Sequence, residues 1–398
     1  MRRHLYSGLL CALVAVGIAG SAHADSIFAL NLVGEREDIG DARITALGGY
    51  VQTVDDSLGV LQYNPATVAW LKRFSFGVAG YTTSDKNKNL DSETRSNSTT
   101  LSQLLFAFPL YHHRVSAGVG FRGRYDPDGK FKTPGVTSEG DEFIDSYERT
   151  GGLFSVPITV AVDAGNYAKV GFFYALERGR IEETWVKDFS GNAADATSDR
   201  ERVFRGHCIG AGFVSRPISQ LSIGLTYESK IDYHVDVSER FTSASADTES
   251  TETASMPSRM TLSAAYRLAS DVTVFAGGTI CDFRKFEGMN FPSERLAEEK
   301  IGSLGVEYRL GQKRVPLRGS FTYEQLPYTM PDGQNIKRIA FAVGSGRIMR
   351  GGRGKVDIAL QFANTGSVNN NTYSDRSVRF FLSITGSEDW KRQRGRQQ

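Results

Sequence analysis

Cysteine is scarce in this sequence: three among 398 residues, at positions 11, 208 and 281. Exported domains that rely on disulfides carry more, so the fold is expected to rest on burial and hydrogen bonding. Charge of one sign is also lacking. The chain holds 47 Lys and Arg against 45 Asp and Glu, a formal net charge of +2. Without residues 1–24, which contain Arg2 and Arg3 and no acid, the balance is 47 − 2 = 45 bases against 45 acids. No single-sign field is left to attract nucleic acid. The basic run KRQRGR at 391–396 reads as a solvated tail. Beyond residue 24 no segment approaches eighteen consecutive apolar residues, so no membrane helix is expected. A chain without such a helix spans a bilayer only as a closed barrel of strands.

The first residues set the compartment. Arg2, Arg3 and His4 are basic, 9–19 is an apolar run, and Ala22-His23-Ala24 has the small-x-small pattern of a cleavage site. Residues 1–24 are therefore expected to be a signal peptide, and the exported chain to begin at Asp25. Cys11 lies inside the apolar run without lipobox spacing, so no lipid anchor is expected. Two cysteines remain, and sequence alone does not pair them.

From residue 72 onwards the dominant pattern has a period of two. In VSAGVGFRGRY (115–125), Val115, Ala117, Val119, Phe121 and Tyr125 share one face. In 221–235, Leu221, Ile223, Leu225, Tyr227, Ile231, Tyr233 and Val235 oppose Ser222, Gly224, Thr226, Glu228, Lys230, Asp232 and His234. Successive side chains point to opposite faces only in a strand. The pattern recurs at 260–268, 304–310, 315–324, 356–363 and 378–385. One face is rich in Phe, Tyr, Val, Leu and Ile, the other in Gly, Ser, Thr and charges of both signs.

Connections alternate in length. Short ones lie near 111–114, 164–168, 216–220, 269–271, 311–314 and 349–353. Longer polar ones lie near 83–98, 126–149, 182–199, 240–252, 284–298, 325–335 and 367–374. Outer-membrane barrels have short periplasmic turns and longer external loops. The expected fold is all-β: a transmembrane antiparallel β-barrel of about fourteen strands over 72–386, followed by a periplasmic basic tail at 387–398. A large soluble β-sandwich is the alternative that also alternates. Cys208 and Cys281 fall on the sixth and ninth strands of this count. Three steps of about 4.8 Å separate them, beyond the reach of a disulfide, so two free thiols are expected.

Residues 25–71 precede the first strand and are too apolar for a disordered leader. They are expected to fold back into the lumen as a plug, or hatch. Ile27, Phe28 and Leu30 would form an apolar pocket wall, and Asn64-Pro65-Ala66 would be the turn that leads out to strand one. The run DARITALGGYVQTVDDSLGVLQYNPATVAWL (41–71) resembles the amino-terminal signature of the FadL-like outer-membrane transport superfamily. The shared features are the ALGG segment, the Asp55-Asp56 pair and Asn64-Pro65-Ala66 just before the barrel. Members include long-chain fatty-acid and aromatic-hydrocarbon channels, and PorV-like components of a secretion system.

The resemblance implies passive uptake of hydrophobic small molecules across the bacterial outer membrane. Ligand would pass from an external groove to a lumen pocket beside the plug, which would rearrange at 25–40. The expected partners are outer-membrane lipid and a hydrophobic ligand, with no nucleic acid and no cofactor. The alternative within the resemblance is a PorV-like binding or assembly component that holds a secreted protein. Phe131, Phe143, Phe189, Phe286 and Phe291 fit a greasy entry path, or loops packed on one another.

Other motifs carry less. Gly118-Val119-Gly120-Phe121-Arg122-Gly123 matches a dinucleotide pattern, yet it lies inside a strand with no helix to meet phosphates. Gly118, Gly120 and Gly123 read instead as kink candidates in the third strand, which in FadL-like channels is kinked and leaves a side opening. Equally, small residues there make room for the plug. His112-His113 lacks a third ligand, so no metal is expected. No nucleophile–base pattern stands out, so no enzyme is expected.

Overall fold

The computed structural model describes residues 26–388 except 38–39, 55–62, 89–92, 112–113, 138–139, 141, 166–167, 190–194, 243–246, 290, 312–314 and 350. The expected signal peptide, Asp55-Asp56, His112-His113 and the tail beyond 388 lie outside the described residues.

Fourteen strands pair antiparallel with their sequence neighbours and close into a barrel. They are β1 (Phe74–Lys88), β2 (Glu93–Tyr111), β3 (Val115–Asp126, continuing as Gly129–Val136), β4 (Glu142–Asp163), β5 (Ala168–Phe189), β6 (Ala196–Ile218), β7 (Leu221–Glu228, then Ile231–Phe241), β8 (Thr248–Met256, then Arg259–Arg267), β9 (Val272–Asp282), β10 (Glu298–Leu310), β11 (Val315–Thr329), β12 (Asn335–Ile348), β13 (Gly354–Gly366) and β14 (Ser374–Glu388). Closure runs from Ser374↔Lys88 to Glu388↔Phe74 and leaves neither terminal strand as an edge. The fourteen-strand count from the sequence is met.

Outward side chains form an exposed apolar belt, with Phe172, Leu262, Leu304, Phe341 and Phe380 among them. Tyr266 and Tyr308 lie towards the short turns, and Tyr227 and Tyr323 towards the long connections. An apolar band between aromatic girdles is the lipid-facing surface of a membrane barrel. Among the described residues no helix is long and apolar enough to cross a membrane.

Two expectations need correction. The long polar stretches are mostly strand: β1 and β2 run to Lys88 and from Glu93, and β5 and β6 run to Phe189 and from Ala196. Polar residues on both faces suit a β-ribbon standing in water above the belt. The second correction concerns 221–235, where one face was expected throughout. The β6–β7 register gains one β7 residue between Gly210↔Glu228 and Arg205↔His234, at the break around Ser229 and Lys230. One extra residue exchanges the faces. Gly224, Thr226 and Glu228 point inward below it, and Ile231, Tyr233 and Val235 point inward above it. Asp232 and His234 therefore face solvent, paired with Lys230 and Asp236.

The face exchange builds an apolar core inside the upper barrel. Phe204, Tyr233, Val235, Met256, Phe283 and Tyr328 are buried there together with Phe28, Leu32 and Val33 of the inner segment. Cys208 and Cys281 belong to the same cluster, and both thiols are free.

The topology has a direct test. Lys132→Cys on the outer ribbon should react with an impermeant thiol reagent on intact cells. Ser270→Cys, in a short turn, should react only after the outer membrane is breached. Equal labelling of both in intact cells would contradict the assignment of sides.

Candidate functional site

The interior is organised around charges that the inner segment and the wall share. Asp41 caps the short helix Ala42–Thr45, its carboxylate accepting the Ile44 N–H at 2.7 Å. That turn aims Arg43 at Glu307, 3.2 Å away, and Glu307 also pairs with Arg318 at 2.9 Å. Arg318 continues to Asp357 at 2.7 Å.

Nearer the apolar core, Glu228 receives Arg122 and Arg124, each at 2.9 Å, with Arg259 at 3.7 Å. Arg259 leads to Glu299 at 3.6 Å, and Glu299 to Arg36 of the inner segment at 3.4 Å. Glu35 meets Arg338 at 2.6 Å and Arg379 at 3.5 Å. Burial disfavours the Glu35 carboxylate, but the two arginines outweigh it and hold its pKa below the ordinary glutamate value. Glu37 accepts from the Tyr81 hydroxyl at 2.6 Å. The result is an ionic layer across the lumen, not an acid–base constellation. Cavities bordering Arg36, Tyr50 and Leu32 measure about 10, 30 and 20 Å³, room for water molecules and not for a lipid.

The expected pocket wall sits above this layer. Phe28 is buried in the apolar core, Ile27 packs partly buried against it, and Leu30 lies against Gly129. Arg149 donates to the Leu30 and Leu32 carbonyls at 3.1 and 2.7 Å, and the Tyr328 hydroxyl donates to the Phe28 carbonyl at 2.7 Å. Phe28 is thus held in the packed core, and Leu30 is tied to the wall through its carbonyl. Of the external phenylalanines, Phe143 packs tilted against Phe189 and Phe291 edge-on against Tyr328, while Phe286 is buried and stacks on Phe283.

Asn64-Pro65-Ala66 opens the 3-10 turn Pro65–Trp70. Asn64 Oδ1 accepts the Ala66 N–H at 2.9 Å, and its Nδ2 donates to the Phe213 and Leu225 carbonyls of the wall at 3.2 and 3.3 Å. Gly171 and Gly212 seat this tripeptide. A Cβ on Gly171 would meet Pro65 backbone at 2.4 Å, and one on Gly212 would meet Asn64 Oδ1 at 2.1 Å. The sequence reading missed both, although glycine inside a strand is a signal of close backbone approach.

The third strand departs from the regular wall. β2 pairs with β3 only between Tyr111↔Val115 and Gln103↔Arg122. Beyond that, Arg122, Gly123, Arg124 and Tyr125 are all buried, and Tyr125 and Asp126 pair with Arg36 and Glu35 instead. The β3–β4 register shifts between Gly123 and Tyr125. Gly118 keeps ordinary pairing; Gly120 admits the Leu104 carbonyl, 2.5 Å from where a Cβ would stand; Gly123 leaves space that Glu37 fills. Where the strands part lies a pocket of about 380 Å³, lined mostly by polar residues, among them Thr99, Asp126, Asp128, Arg180 and Glu182, with Gly152 and Phe154. Phe154 packs on Phe121 at 5.3 Å.

The family model described as BamG matches residues 1–297. The chain belongs to the BamG family. Its fold is that of FadL-like channels, as the resemblance of 41–71 implied. The CymD monoaromatic hydrocarbon channel superposes with a TM-score of 0.58 at 12% identity, covering 90% of this chain and 99% of that one. The Ralstonia pickettii toluene transporter TbuX gives 0.59 at 14% identity, covering 89% and 99%. A Pseudomonas aeruginosa FadL homologue gives 0.56 at 9% identity, covering 92% and 100%. No curated protein matches. The first of these neighbours is a hydrocarbon channel and the second a toluene transporter, and this BamG-family barrel is an outer-membrane protein.

Glu228→Gln takes the shared carboxylate from Arg122, Arg124 and Arg259 and should destabilise the refolded barrel by about 3–5 kcal/mol in urea unfolding. Asp232→Asn, on the solvent face, should change it by less than about 0.5 kcal/mol. Asn64→Ala removes a cap and two wall contacts and should cost about 1–3 kcal/mol. Gly212→Ala should cost a similar amount even in the Asn64→Ala background, because its Cβ would still meet the Pro65 ring at 2.7 Å.

Proposed function

We propose that this BamG-family barrel is a passive outer-membrane channel for hydrophobic small molecules, with long-chain fatty acids and aromatic hydrocarbons as candidate ligands. Ligand moves through the side of the barrel rather than straight down the lumen. The observation that carries this reading is the parting of β2 from β3 beyond Gln103↔Arg122, with a pocket of about 380 Å³ there beside the outward Phe121–Phe154 pair. An apolar solute crossing the ionic layer would have to displace buried ion pairs, whereas a route through the wall avoids them. Residues 26–71 act as the hatch in this scheme. The Asn64-Pro65-Ala66 turn anchors it to the wall, and Phe28 ties its other end to the apolar core. No cofactor or covalent step enters.

A second reading, a partner-binding component without transport, is favoured by the outer ribbon. Val136, Ile144 and Trp185 are exposed there, well above the lipid-facing belt. Apolar side chains held in water on a projecting ribbon suit contact with another protein.

Gly152→Trp separates the two. Gly152 borders the opening, and a Cβ there would meet only the Tyr125 carbonyl, at 3.7 Å. The bulky ring should fill the gap without disturbing the wall. Uptake of oleate and of toluene by expressing cells should fall by about tenfold or more, with heat-modifiable migration unchanged. Unaltered uptake in a folded variant would refute the lateral route. Uptake absent from the wild type, with a protein retained only when Trp185 is intact, would favour the second reading.

A further inference from the structure

Strand register sets three cations in one row on the outer surface of the barrel. Arg376 of β14 stands opposite Lys86 of β1, and Lys86 stands opposite Arg95 of β2. All three have the outward parity, since their neighbours Asp375, Asp85 and Ser96 are the buried ones. Adjacent strands are about 4.8 Å apart, so the row spans roughly 10 Å. Like charges placed directly opposite destabilise a strand pair. Lys88, the next outward residue of β1, adds a fourth cation. Glu93 answers part of this charge, its Oε1 taking Lys86 at 2.8 Å and Arg95 at 3.5 Å. Arg376 and Lys88 form no ion pair among the described residues. Even if Asp91, which lies outside the described residues, is counted with Glu93, four cations stand against two anions. Other outward cations are matched within the chain: Arg205 by Asp236 at 2.9 Å, Lys230 by Asp232 at 3.0 Å and Lys300 by Glu298 at 2.8 Å.

The surface beneath the row identifies what answers it. Arg376 is the outward residue directly after Val378, Phe380 and Leu382, which are exposed members of the apolar belt. Across the ladder Val378 stands opposite Phe362, and Phe362 opposite Phe341, both exposed as well. The cations therefore border a surface that already faces acyl chains. We propose that Arg376, Lys86 and Arg95 bind the phosphate-bearing head group of an outer-leaflet lipid, whose chains lie along Val378, Phe380 and Phe362. A guanidinium meets phosphate oxygens through two parallel N–H donors, and a lysine adds a point charge. A free phosphate would meet the same cations but would leave the apolar face beneath them unused. The head group would relieve the repulsion along the row and fix the height of the barrel in the leaflet. Thr99, four residues along β2 from Arg95, lines the pocket where β2 and β3 part, so the bound lipid flanks that pocket. The assignment stands whether or not the barrel transports a solute.

Native mass spectrometry of the purified barrel in a nonionic detergent tests this, with dioleoyl phosphatidic acid as the probe. The barrel should retain it at least about tenfold more tightly than dioleoyl phosphatidylcholine, which has the same chains and no net head-group charge. The triple variant Lys86→Gln, Arg95→Gln, Arg376→Gln should lose that preference. A control that removes two matched cations, Arg205→Gln with Lys300→Gln, should keep it. The heat-modification midpoint supplies a sign. Without lipid the triple variant should melt no lower than the wild type, because its row no longer repels itself. Phosphatidic acid should raise the wild-type midpoint and leave that of the triple variant unchanged. Inorganic phosphate at the same concentration should do neither; a rise equal to that from the lipid would make a free anion the occupant and overturn the proposal. Equal retention of the two lipids, or a preference that survives the triple substitution, would sink it as well.

Discussion

A fourteen-strand barrel is wider than the side chains of its own wall can fill, and the rest of the structure follows from that constraint. The space is occupied by the chain's first described residues, and the contact between the two is chiefly ionic. Arg36, Arg43, Glu35 and Glu37 meet wall groups of opposite charge or a hydroxyl. A buried ion pair adds little net stability, because desolvation offsets the attraction, but breaking one is expensive. What the ionic layer provides is registry. Each inner charge has one place on the wall where it is neutralised, so the segment has one way to sit.

The apolar core above the layer exists because a single residue is inserted near Ser229. Without it, Ile231, Tyr233 and Val235 would face outward on a ribbon surrounded by water, and Asp232 and His234 would point into the lumen. With it, the greasy face turns inward where Phe28 and Leu32 need partners. Pro257, which has no N–H to donate, marks the matching break on β8, so two adjacent strands change face at one level.

The barrel and its strand number were legible because a period of two is a local property and survives in composition. The tripeptide at Asn64 was legible as a turn, since Asn before Pro followed by a small residue has few other uses. The faces of 221–235 were misread for the same reason that the strand was recognised. Alternation continues on both sides of the break, and a period of two carries no mark of which parity faces in. Ion-pair partners such as Arg36 and Glu299 were not legible, because they are far apart in sequence and either charge has many possible mates. Glu228 was expected to face the lumen and does; its three arginines emerge only from strand register.

The opening in the wall is inseparable from the inner segment. Where β3 leaves β2 it gives up ladder hydrogen bonds, and a free strand edge is unfavourable and prone to wrong pairing. Glu35 and Arg36 recover part of that loss by pairing with Asp126 and Tyr125. Their side chains are in turn fixed by Arg338 and Glu299 on the far wall. Straightening β3 to seal the gap would therefore unpair this short strand and strain the ionic layer. Removing the segment would free β3 to rejoin β2. The parting of β3 from β2 and the docking of the inner segment thus share the contacts at Glu35 and Arg36, so a change that acts on one acts on the other.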